Sequence, residues 1–213
     1  YREDLDPNAD ATPRLGPTDV VLASGGARGV TARTLVALAQ KTCARFVLLG
    51  RSPLTEEPAS VRGLTADADL KRALLGDAKA RGEAITPAGL GQQVAAIRGA
   101  REVHQTLADI ESAGGLVRYV PVDVLDEAGI ASALESVRAE WGPITAVVHG
   151  AGLLADKRIE DKTVEQFERV FRTKVDGLRV LLSATRRDPL KALVMFSSVA
   201  GRCGDQGQCD YAM

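Results

Sequence analysis

The sequence has few of the residues that build metal sites or disulfide frameworks. Its 213 residues include three cysteines and two histidines, and Cys203 and Cys209 are spaced too widely for a CxxC redox motif. An odd, sparse set of cysteines argues against a disulfide scaffold and is typical of proteins in the reducing cytoplasm. We therefore expect no metal site and a cytoplasmic location.

Extremes of charge and long apolar runs are also lacking. The formal net charge is -1, so no overall basic field attracts nucleic acid or an anionic membrane. No apolar run approaches the roughly 20 residues that span a bilayer, and the charged residues 1–4 do not resemble a signal peptide. We expect neither nucleic acid nor a membrane as a partner.

Short apolar runs alternate with helical patterns along most of the chain. Strands are predicted at 19–23, 44–49, 116–120, 144–148 and 192–196, and helices at 28–40, 100–112, 126–141 and 164–186. This alternation is typical of βαβ units with right-handed crossovers. It predicts an α/β fold with a Rossmann-like, doubly wound parallel sheet in the order 3-2-1-4-5. Ligands of such sheets bind outside the carboxyl ends of the strands, at the switch point between strands 1 and 4.

The regions outside this pattern are rich in proline and glycine. Residues 1–18 contain three prolines and are predicted to form a linker. Residues 19–213 are predicted to form one catalytic domain. Within it, about 53–101 has no strong strand pattern and is interpreted as an insertion with short helical pieces.

A glycine-rich turn joins the first predicted strand to the first helix. It reads Ser24-Gly25-Gly26-Ala27-Arg28-Gly29-Val30. Glycine lets the backbone approach a pyrophosphate, and the helix N-terminus supplies unpaired N–H groups. The spacing is GxxxG, with Thr31 where a third glycine often stands, so the alternative of a plain tight turn stays open. Its position between strand and helix favours nucleotide binding.

The residues after strands 2 and 3 bear on the choice of cofactor. Gly50-Arg51-Ser52 places an arginine where NAD sites carry an acidic residue. The Arg51 guanidinium suits a 2′-phosphate, and Arg28 offers a second cation, so we predict NADPH; the alternative is two solvated surface arginines. Asp123 is positioned to accept a hydrogen bond from the adenine amine or, alternatively, to cap the next helix.

Three further residues suit the reduction of a ketone. Ser198 follows strand 5, Tyr211 comes thirteen positions later, and Lys174 lies on the helix between strands 4 and 5. The tyrosine hydroxyl has a pKa well above neutrality, so it needs a nearby cation such as Lys174 to act as proton donor. The serine hydroxyl would polarise the carbonyl. Taken singly, the three are interpreted as a cap, a half-buried aromatic and a surface charge, but together on this scaffold they favour catalysis.

Several segments together resemble the short-chain dehydrogenase/reductase superfamily. They are residues 24–31, His149-Gly150-Ala151-Gly152, Lys174-Val175-Asp176-Gly177 and the Ser198/Tyr211 pair. More narrowly, the chain is similar to the ketoreductase domains of polyketide synthases and, with its insertion after strand 2, to those of polyunsaturated fatty acid synthases. Lys174 carries this narrower resemblance, because ordinary members of the superfamily have an asparagine there and a lysine four residues after the tyrosine.

The resemblance implies a site, a substrate and partners. Catalysis would rest on Tyr211, Ser198 and Lys174. NADPH would be bound by Ser24, Gly25, Gly26, Arg28, Gly29, Val30, Arg51, Ser52, Asp123, Val124, Gly150, Ala151, Gly152, Lys174 and Tyr211. The implied substrate is a β-ketoacyl chain on the phosphopantetheine arm of an acyl carrier protein, and the other domains of the same synthase are implied partners.

The resemblance also suggests a stereochemical outcome. Leu154-Ala155-Asp156 is similar to the Leu-Asp-Asp of ketoreductases that give the D-hydroxy (3R) product, but lacks the middle aspartate. Cys203 stands where the opposite class carries tryptophan, so we expect the D product, with Asp156 in stereocontrol.

By the same resemblance we expect an asparagine at position 215, together with later strands and a substrate lid, so that the natural protein would continue past residue 213. Two alternatives stay open. One is a free-standing NADPH-dependent alcohol dehydrogenase, and the other is a non-catalytic, nucleotide-binding relative of the reductases.

Overall fold

The computed structural model describes residues 14–212. Residues 1–13 and 213 lie outside the described part, and with them most of the predicted linker. Residues 14–18 form neither helix nor strand, and Leu15 packs against the apolar side chains of the core.

Five parallel strands form one sheet. They are β1 (Val20–Ser24), β2 (Arg45–Gly50), β3 (Leu116–Pro121), β4 (Ala146–His149) and β5 (Ala192–Met195). Their order is β3-β2-β1-β4-β5, which confirms the predicted doubly wound fold. The register pairs Ser24 with His149, so β1 and β4 end at the same level. The crevice between their carboxyl ends is the switch point of the sheet.

Helices cover both faces of the sheet. They are α1 (Gly29–Thr42), α2 (Asp67–Ala80), α3 (Pro87–Ser112), α4 (Glu127–Trp141), α5 (Val164–Phe171), α6 (Gly177–Ala184) and α7 (Ala200–Cys203). Side chains of β1 alternate between two cores: Val20 and Leu22 pack with α4 and α6, whereas Val21 and Ala23 pack with α1 and α3. β1 is buried on both faces and is apolar in all but its last residue, which explains why it was predictable as a continuous apolar run.

Helix α3 begins at Pro87, well before the predicted start at Ala100. Thr86 caps it, since its Oγ1 accepts a hydrogen bond from Gly89 N (3.1 Å), and proline is well suited to the first helical position. The glycines at 89, 91 and 99 weaken the helical pattern of the sequence. They are tolerated because Leu90, Val94 and Ile97 lie on one face and pack in a small core of their own.

The segment from 53 to 98 is built around that small core. Val61, Leu70 and Leu74 pack with Val94. Arg101 ties the segment to α3, because its Nη2 donates to Glu57 Oε2 and to Val61 O, both at 2.9 Å. The guanidinium lowers the pKa of the Glu57 carboxyl. The assignment of about 53–101 as an insertion remains a prediction.

The predicted helix 164–186 is interrupted. A π-helical turn, Arg172–Asp176, separates α5 from α6. A capping box fixes the start of α5, with Thr163 Oγ1 accepting from Gln166 N and Gln166 Oε1 accepting from Thr163 N. Single π turns inside α-helices are rare and concentrate at functional sites, and this one carries Lys174.

Other surface features bear on the function classes considered above. Of the helices in the described range, none has the length and apolarity needed to cross a membrane. Within residues 14–212, no three His, Cys, Asp or Glu side chains are grouped so that they could hold a metal ion. β5 lies at one sheet edge and exposes Leu193, Val194 and Met195 by 43%, 45% and 57%.

Candidate active site

A cleft of about 430 Å³ opens at the switch point of the sheet, and we call it the switch-point cleft. The carboxyl ends of β1, β2, β3 and β4 surround it. The sequence-predicted cofactor residues that line it are Ser24, Gly25, Arg28, Gly29, Arg51, Ser52, Asp123, Val124, Gly150, Ala151 and Gly152. The fold therefore brings most of the predicted nucleotide contacts to one place.

Gly25 lies beside the backbone that follows β4, and no side chain fits at its position. Its φ is +65°, and a Cβ added there would lie 2.7 Å from both the N and the Cα of Ala151. Only glycine combines that left-handed conformation with so near a neighbouring backbone. Gly26 has a different role, since its Cβ would lie 2.6 Å from Leu35 Cδ1. It is a packing glycine beneath the turn and does not line the cleft.

The N-terminus of α1 points into the cleft and already engages a carboxylate. Arg28 is the N-cap residue and forms no side-chain cap. Gly29 N donates a hydrogen bond to Glu102 Oε1 at 2.9 Å, and Glu102 on α3 lines the cleft. A helix N-terminus favours negative charge, and here it receives one from within the chain. The sequence pattern does not reveal Glu102, because it lies on the polar side of α3.

The cationic end of the cleft is built from three elements. Arg28 extends over α3, where a Cβ on Gly99 would lie 2.7 Å from Arg28 Nη1. Arg51 is exposed and follows β2. Tyr119 on β3 holds the turn that carries Arg51, because its hydroxyl donates to Ser52 O at 2.7 Å. Burial raises the pKa of Tyr119, so it remains a neutral donor. Sequence reasoning missed Tyr119, although it predicted β3 beside β2.

Asp123 lies where the sequence predicted it, at the rim of the cleft. Its Oδ1 accepts a hydrogen bond from Leu125 N at 2.9 Å. The cap of α4 is Asp126, whose Oδ1 accepts from Gly129 N at 2.9 Å. The helix-capping role considered for Asp123 therefore belongs to Asp126, and Asp123 orders the turn beneath the cleft.

A second pocket of about 340 Å³ adjoins the first, and we call it the lysine pocket. It is lined by Val30, Thr31, Gly150, Gly152, Leu153, Leu154, Lys174, Phe196, Ser197 and Tyr211. Thr31, Gly150 and Gly152 border both spaces. Val30, Lys174 and Tyr211 were predicted to contact the cofactor, and the structure places them in this neighbouring pocket.

Lys174 reaches the lysine pocket from the π-helical turn. Its Nζ donates to Ala151 O at 3.2 Å, and burial lowers its pKa. Its backbone carbonyl accepts a hydrogen bond from His149 Nε2 at 2.9 Å. Because a carbonyl only accepts, Nε2 carries the proton and Nδ1 accepts from Ser24 Oγ, at 2.7 Å. His149 thus connects the glycine turn to the backbone of Lys174.

Gly177 explains how the interrupted helix comes so close to the sheet. A Cβ at this position would lie 2.9 Å from Val124 Cγ1 and 3.4 Å from His149 Cε1. Any larger residue would push the helix away from the strand ends. The glycine at the end of Lys174-Val175-Asp176-Gly177 therefore sets the distance from which Lys174 reaches the pocket.

Ser198 and Ser197 differ in their surroundings. Ser198 Oγ accepts a hydrogen bond from Ala200 N at 3.2 Å, at the start of α7. Ser197, its neighbour, lines the lysine pocket together with Tyr211. The structure thus brings Lys174 and Tyr211 to one pocket, and it gives Ser198 the local backbone bond that a cap would make.

Comparison with known proteins assigns the chain to a family. Residues 20–213 match the family model described as the KR domain. This chain belongs to the KR domain family. The match confirms the predicted resemblance to ketoreductase domains of the short-chain dehydrogenase/reductase type.

Individual relatives place this KR domain beside parts of large synthases. It is 36% identical to a component of the polyunsaturated fatty acid synthase of Thraustochytrium sp., over 98% of this chain and 8% of that protein. It is 46% identical to the spectinabilin polyketide synthase system protein NorB of Streptomyces orinoci, over 45% of this chain and 4% of that protein. The chain therefore spans less than a tenth of these relatives.

Solved structures of ketoreductases share the fold. A ketoreductase domain from the bacillaene assembly line matches with a TM-score of 0.68 and 26% identity, over 93% of this chain and 37% of that one. An N-terminal ketoreductase from the macrolactin assembly line matches with a TM-score of 0.67 and 27% identity, over 95% of this chain and 32% of that one.

The proposed stereocontrol residue of the KR domain lies beside the lysine pocket. Leu153 and Leu154 line the pocket. Asp156 is exposed, and its Oδ2 accepts a hydrogen bond from Gln208 Nε2 at 3.1 Å. Cys203 is exposed at the end of α7. The loop that carries Asp156 is therefore bonded to the segment that leads to Tyr211.

Proposed function

We propose that this KR domain reduces the β-keto group of an acyl chain carried on an acyl carrier protein, with NADPH as the reductant. The observation that carries the proposal is the placement of Lys174 and Tyr211 in one pocket that shares Thr31, Gly150 and Gly152 with the switch-point cleft. A nucleotide in the cleft would then end beside a tyrosine and a lysine. That is the arrangement a carbonyl reduction needs.

The residues of the cleft fit a phosphorylated dinucleotide. The Gly25 cradle leaves no room for a Cβ, and the N–H of Gly29 already binds a carboxylate oxygen, so it can bind a phosphate oxygen in the same way. Arg28 and Arg51 border the cleft and would hold a 2′-phosphate. When bound, the nicotinamide supplies the hydride that is added to the carbonyl carbon.

Tyr211 completes the reaction by giving its hydroxyl proton to the carbonyl oxygen as negative charge develops there. The tyrosinate that remains recovers a proton from water. Lys174 lines the same pocket, and its ammonium would offset the negative charge of the tyrosinate as the proton leaves. Ala151 O holds the ammonium, and His149 holds the backbone behind it.

Two neighbouring serines, Ser197 and Ser198, are candidates for the hydroxyl that orients the substrate carbonyl. We propose Ser198 as the hydroxyl that orients the substrate carbonyl, in keeping with its thirteen-residue spacing from Tyr211. In that role Ser198 would exchange its bond to Ala200 N for one to substrate. Ser197→Ala and Ser198→Ala, compared side by side, identify which hydroxyl orients the carbonyl. The variant that lacks this hydroxyl should have a lower kcat, and the other variant should keep the kcat of wild type.

The product is proposed to be the D-hydroxy (3R) isomer, with Asp156 in stereocontrol. Chiral analysis of the hydroxyacyl product tests this directly. An L product would contradict it, and a changed isomer ratio in Asp156→Asn would support the role of that carboxylate.

The deciding experiment compares wild type with Tyr211→Phe. NADPH binding is followed by nucleotide fluorescence and reduction by loss of nicotinamide absorbance with a β-ketoacyl thioester, on a carrier protein and as a small thioester. We expect Tyr211→Phe to abolish reduction and to leave NADPH affinity within a few fold. Reduction that survives the substitution would remove Tyr211 as donor. Binding without turnover in wild type would favour the non-catalytic relative, and turnover of simple ketones alone would favour an alcohol dehydrogenase.

A further inference from the structure

An ion pair next to Tyr211 is the most completely buried of those found within residues 14–212. Lys162 Nζ lies 2.6 Å from Asp210 Oδ2, and the two side chains are only 3% and 1% exposed. The same Nζ donates to Ala155 O at 2.9 Å. Burying charges costs free energy even when they are paired. A pair this deep therefore differs from the solvated ion pairs of the surface.

The pair joins the two segments that carry the proposed proton donor and its cation. Asp210 directly precedes Tyr211, whereas Lys162 directly precedes Thr163, the N-cap of α5. Helix α5 continues into the π-helical turn with Lys174. One ammonium therefore connects the backbone beside Tyr211 to the base of the helix that leads to Lys174.

Two further hydrogen bonds join the same two segments of the chain. Lys157 N donates to Gly207 O at 3.0 Å, and Gln208 Nε2 donates to Asp156 Oδ2 at 3.1 Å. Gly207 has a φ of +84°, and a Cβ there would lie 3.4 Å from Lys157 N. Segment 205–211 is thus laid along loop 153–162, and we call these contacts the clasp.

The clasp acts on Tyr211 through the backbone. Tyr211 N donates to Gln208 O at 3.0 Å, so residues 208–211 form one turn. The Asp210 carboxylate of this turn faces the Lys162 ammonium, and Tyr211, the next residue, lines the lysine pocket. Loss of the Asp210 charge would leave a buried ammonium without its partner and release the turn.

We propose that Lys162 and Asp210 are positioning residues that hold the Tyr211 hydroxyl in register with Lys174 and with loop 153–162. The proposal rests on the proposed function of Tyr211 as proton donor. A misplacement of about 1 Å can cost about 100-fold in rate. The effect belongs to kcat, because the clasp does not border the switch-point cleft.

The test uses the full-length protein and three variants of the pair. Asp210→Asn should lower kcat about 10- to 100-fold and leave NADPH affinity within about twofold, since it disturbs orientation and not the nucleotide site. Lys162→Arg keeps the charge and should retain most of kcat. The double variant Lys162→Met/Asp210→Leu removes both charges and should regain the thermal stability that Asp210→Asn loses. Its kcat should stay low, because methionine cannot donate a hydrogen bond to Ala155 O.

Asp188→Asn is the matched control. Asp188 is 5% exposed and pairs with Arg138 Nη2 at 2.6 Å, and neither residue lines the two pockets. We expect this variant to lose thermal stability with unchanged kcat. If Asp210→Asn behaves in the same way, or if kcat returns in the double variant together with stability, the pair is structural only and the proposal is overturned.

A second readout separates this proposal from the function on which it rests. If wild type reduces no β-ketoacyl thioester, the proposed function fails, and amide hydrogen exchange still tests the clasp. Asp210→Asn should speed exchange in 205–211 and in 153–162 together, and Asp188→Asn should speed neither. Faster exchange in only one of the two segments would show that the pair does not couple them.

Discussion

Alanine at Gly25 and alanine at Gly29 should have very different consequences, although the two glycines share one backbone conformation. Both have a φ of +65°, so an alanine at either position bears the same left-handed strain of about 1–2 kcal/mol. At Gly29 the added methyl group meets nothing within 4 Å, whereas at Gly25 it lies 2.7 Å from two backbone atoms of Ala151. The pair therefore isolates the cost of the collision.

The size of that cost follows from what the methyl group meets. Backbone cannot rotate away as a flexible side chain does, so β1 and β4 must separate or the turn must change shape. Forcing a methyl group into packed structure costs about 1–3 kcal/mol. We expect Gly25→Ala to lower the free energy of unfolding by about 2–5 kcal/mol in all, and Gly29→Ala by about 1–2 kcal/mol.

Urea unfolding and NADPH titration measure the two effects. Gly63→Ala is the control for strain alone, because Gly63 has a φ of +77°, meets nothing within 4 Å and lies outside the cleft. Gly25→Ala should also weaken NADPH binding at least tenfold, since the cradle is displaced. Equal losses of stability at Gly25 and Gly29 would refute the steric argument. NADPH affinity that survives Gly25→Ala would separate this turn from the nucleotide.

The remaining predictions concern charge around the cleft. Burial lowers the pKa of His149, so as pH falls the unfolded chain takes up a proton before the folded one does. The free energy of unfolding should therefore fall as pH drops below about 6.5. In urea unfolding across that range, His149→Gln should make the free energy of unfolding less dependent on pH, and an unchanged pH dependence would assign the effect to another group. Glu102→Gln removes a carboxylate that competes with phosphate for Gly29 N. This variant should bind NADPH about two- to fivefold more tightly in fluorescence titrations, and rising salt should reduce the difference. Weaker NADPH binding by the variant would contradict the competition. Arg51→Ala should lower the preference for NADPH over NADH, measured as the ratio of kcat/KM, about tenfold or more, whereas an unchanged ratio would point to Arg28 alone.

Much of the fold could be predicted because the three central strands, β2, β1 and β4, are buried on both faces of the sheet. Val20 to Ala23 are fully buried, and such runs stand out in the sequence whatever packs on them. The start of α3 was less visible, because glycines at 89 and 91 weaken the helical pattern while the Thr86 cap and the contacts of Val94 compensate. Local propensity was outweighed by packing that the sequence does not display.

The site was predictable where it follows the strand ends and was missed where it depends on distant partners. Ser24, Arg51 and Asp123 each follow from the end of a strand, and the cleft gathers all three. Glu102 reaches the cleft only because α3 crosses beside α1 at the level of Gly29. The π turn at Arg172–Asp176 was hidden as well, since one extra residue in a turn hardly changes the spacing of apolar side chains over a long helix.

The hydrogen bonds of His149 link the two halves of the site more tightly than their separate pockets suggest. Ser24 Oγ is bonded to His149 Nδ1 and lies 3.4 Å from Ala151 N, while Ala151 O receives Lys174 Nζ and Lys174 O receives His149 Nε2. The four residues form a closed ring that passes from the glycine turn to the lysine and back. Because Ser24 and Ala151 also line the switch-point cleft, the same hydrogen bonds connect Lys174 to the wall of that cleft. A polar ring of this kind, mostly shielded from water, favours one arrangement of its members, and it holds the Lys174 ammonium against Ala151 O in the lysine pocket.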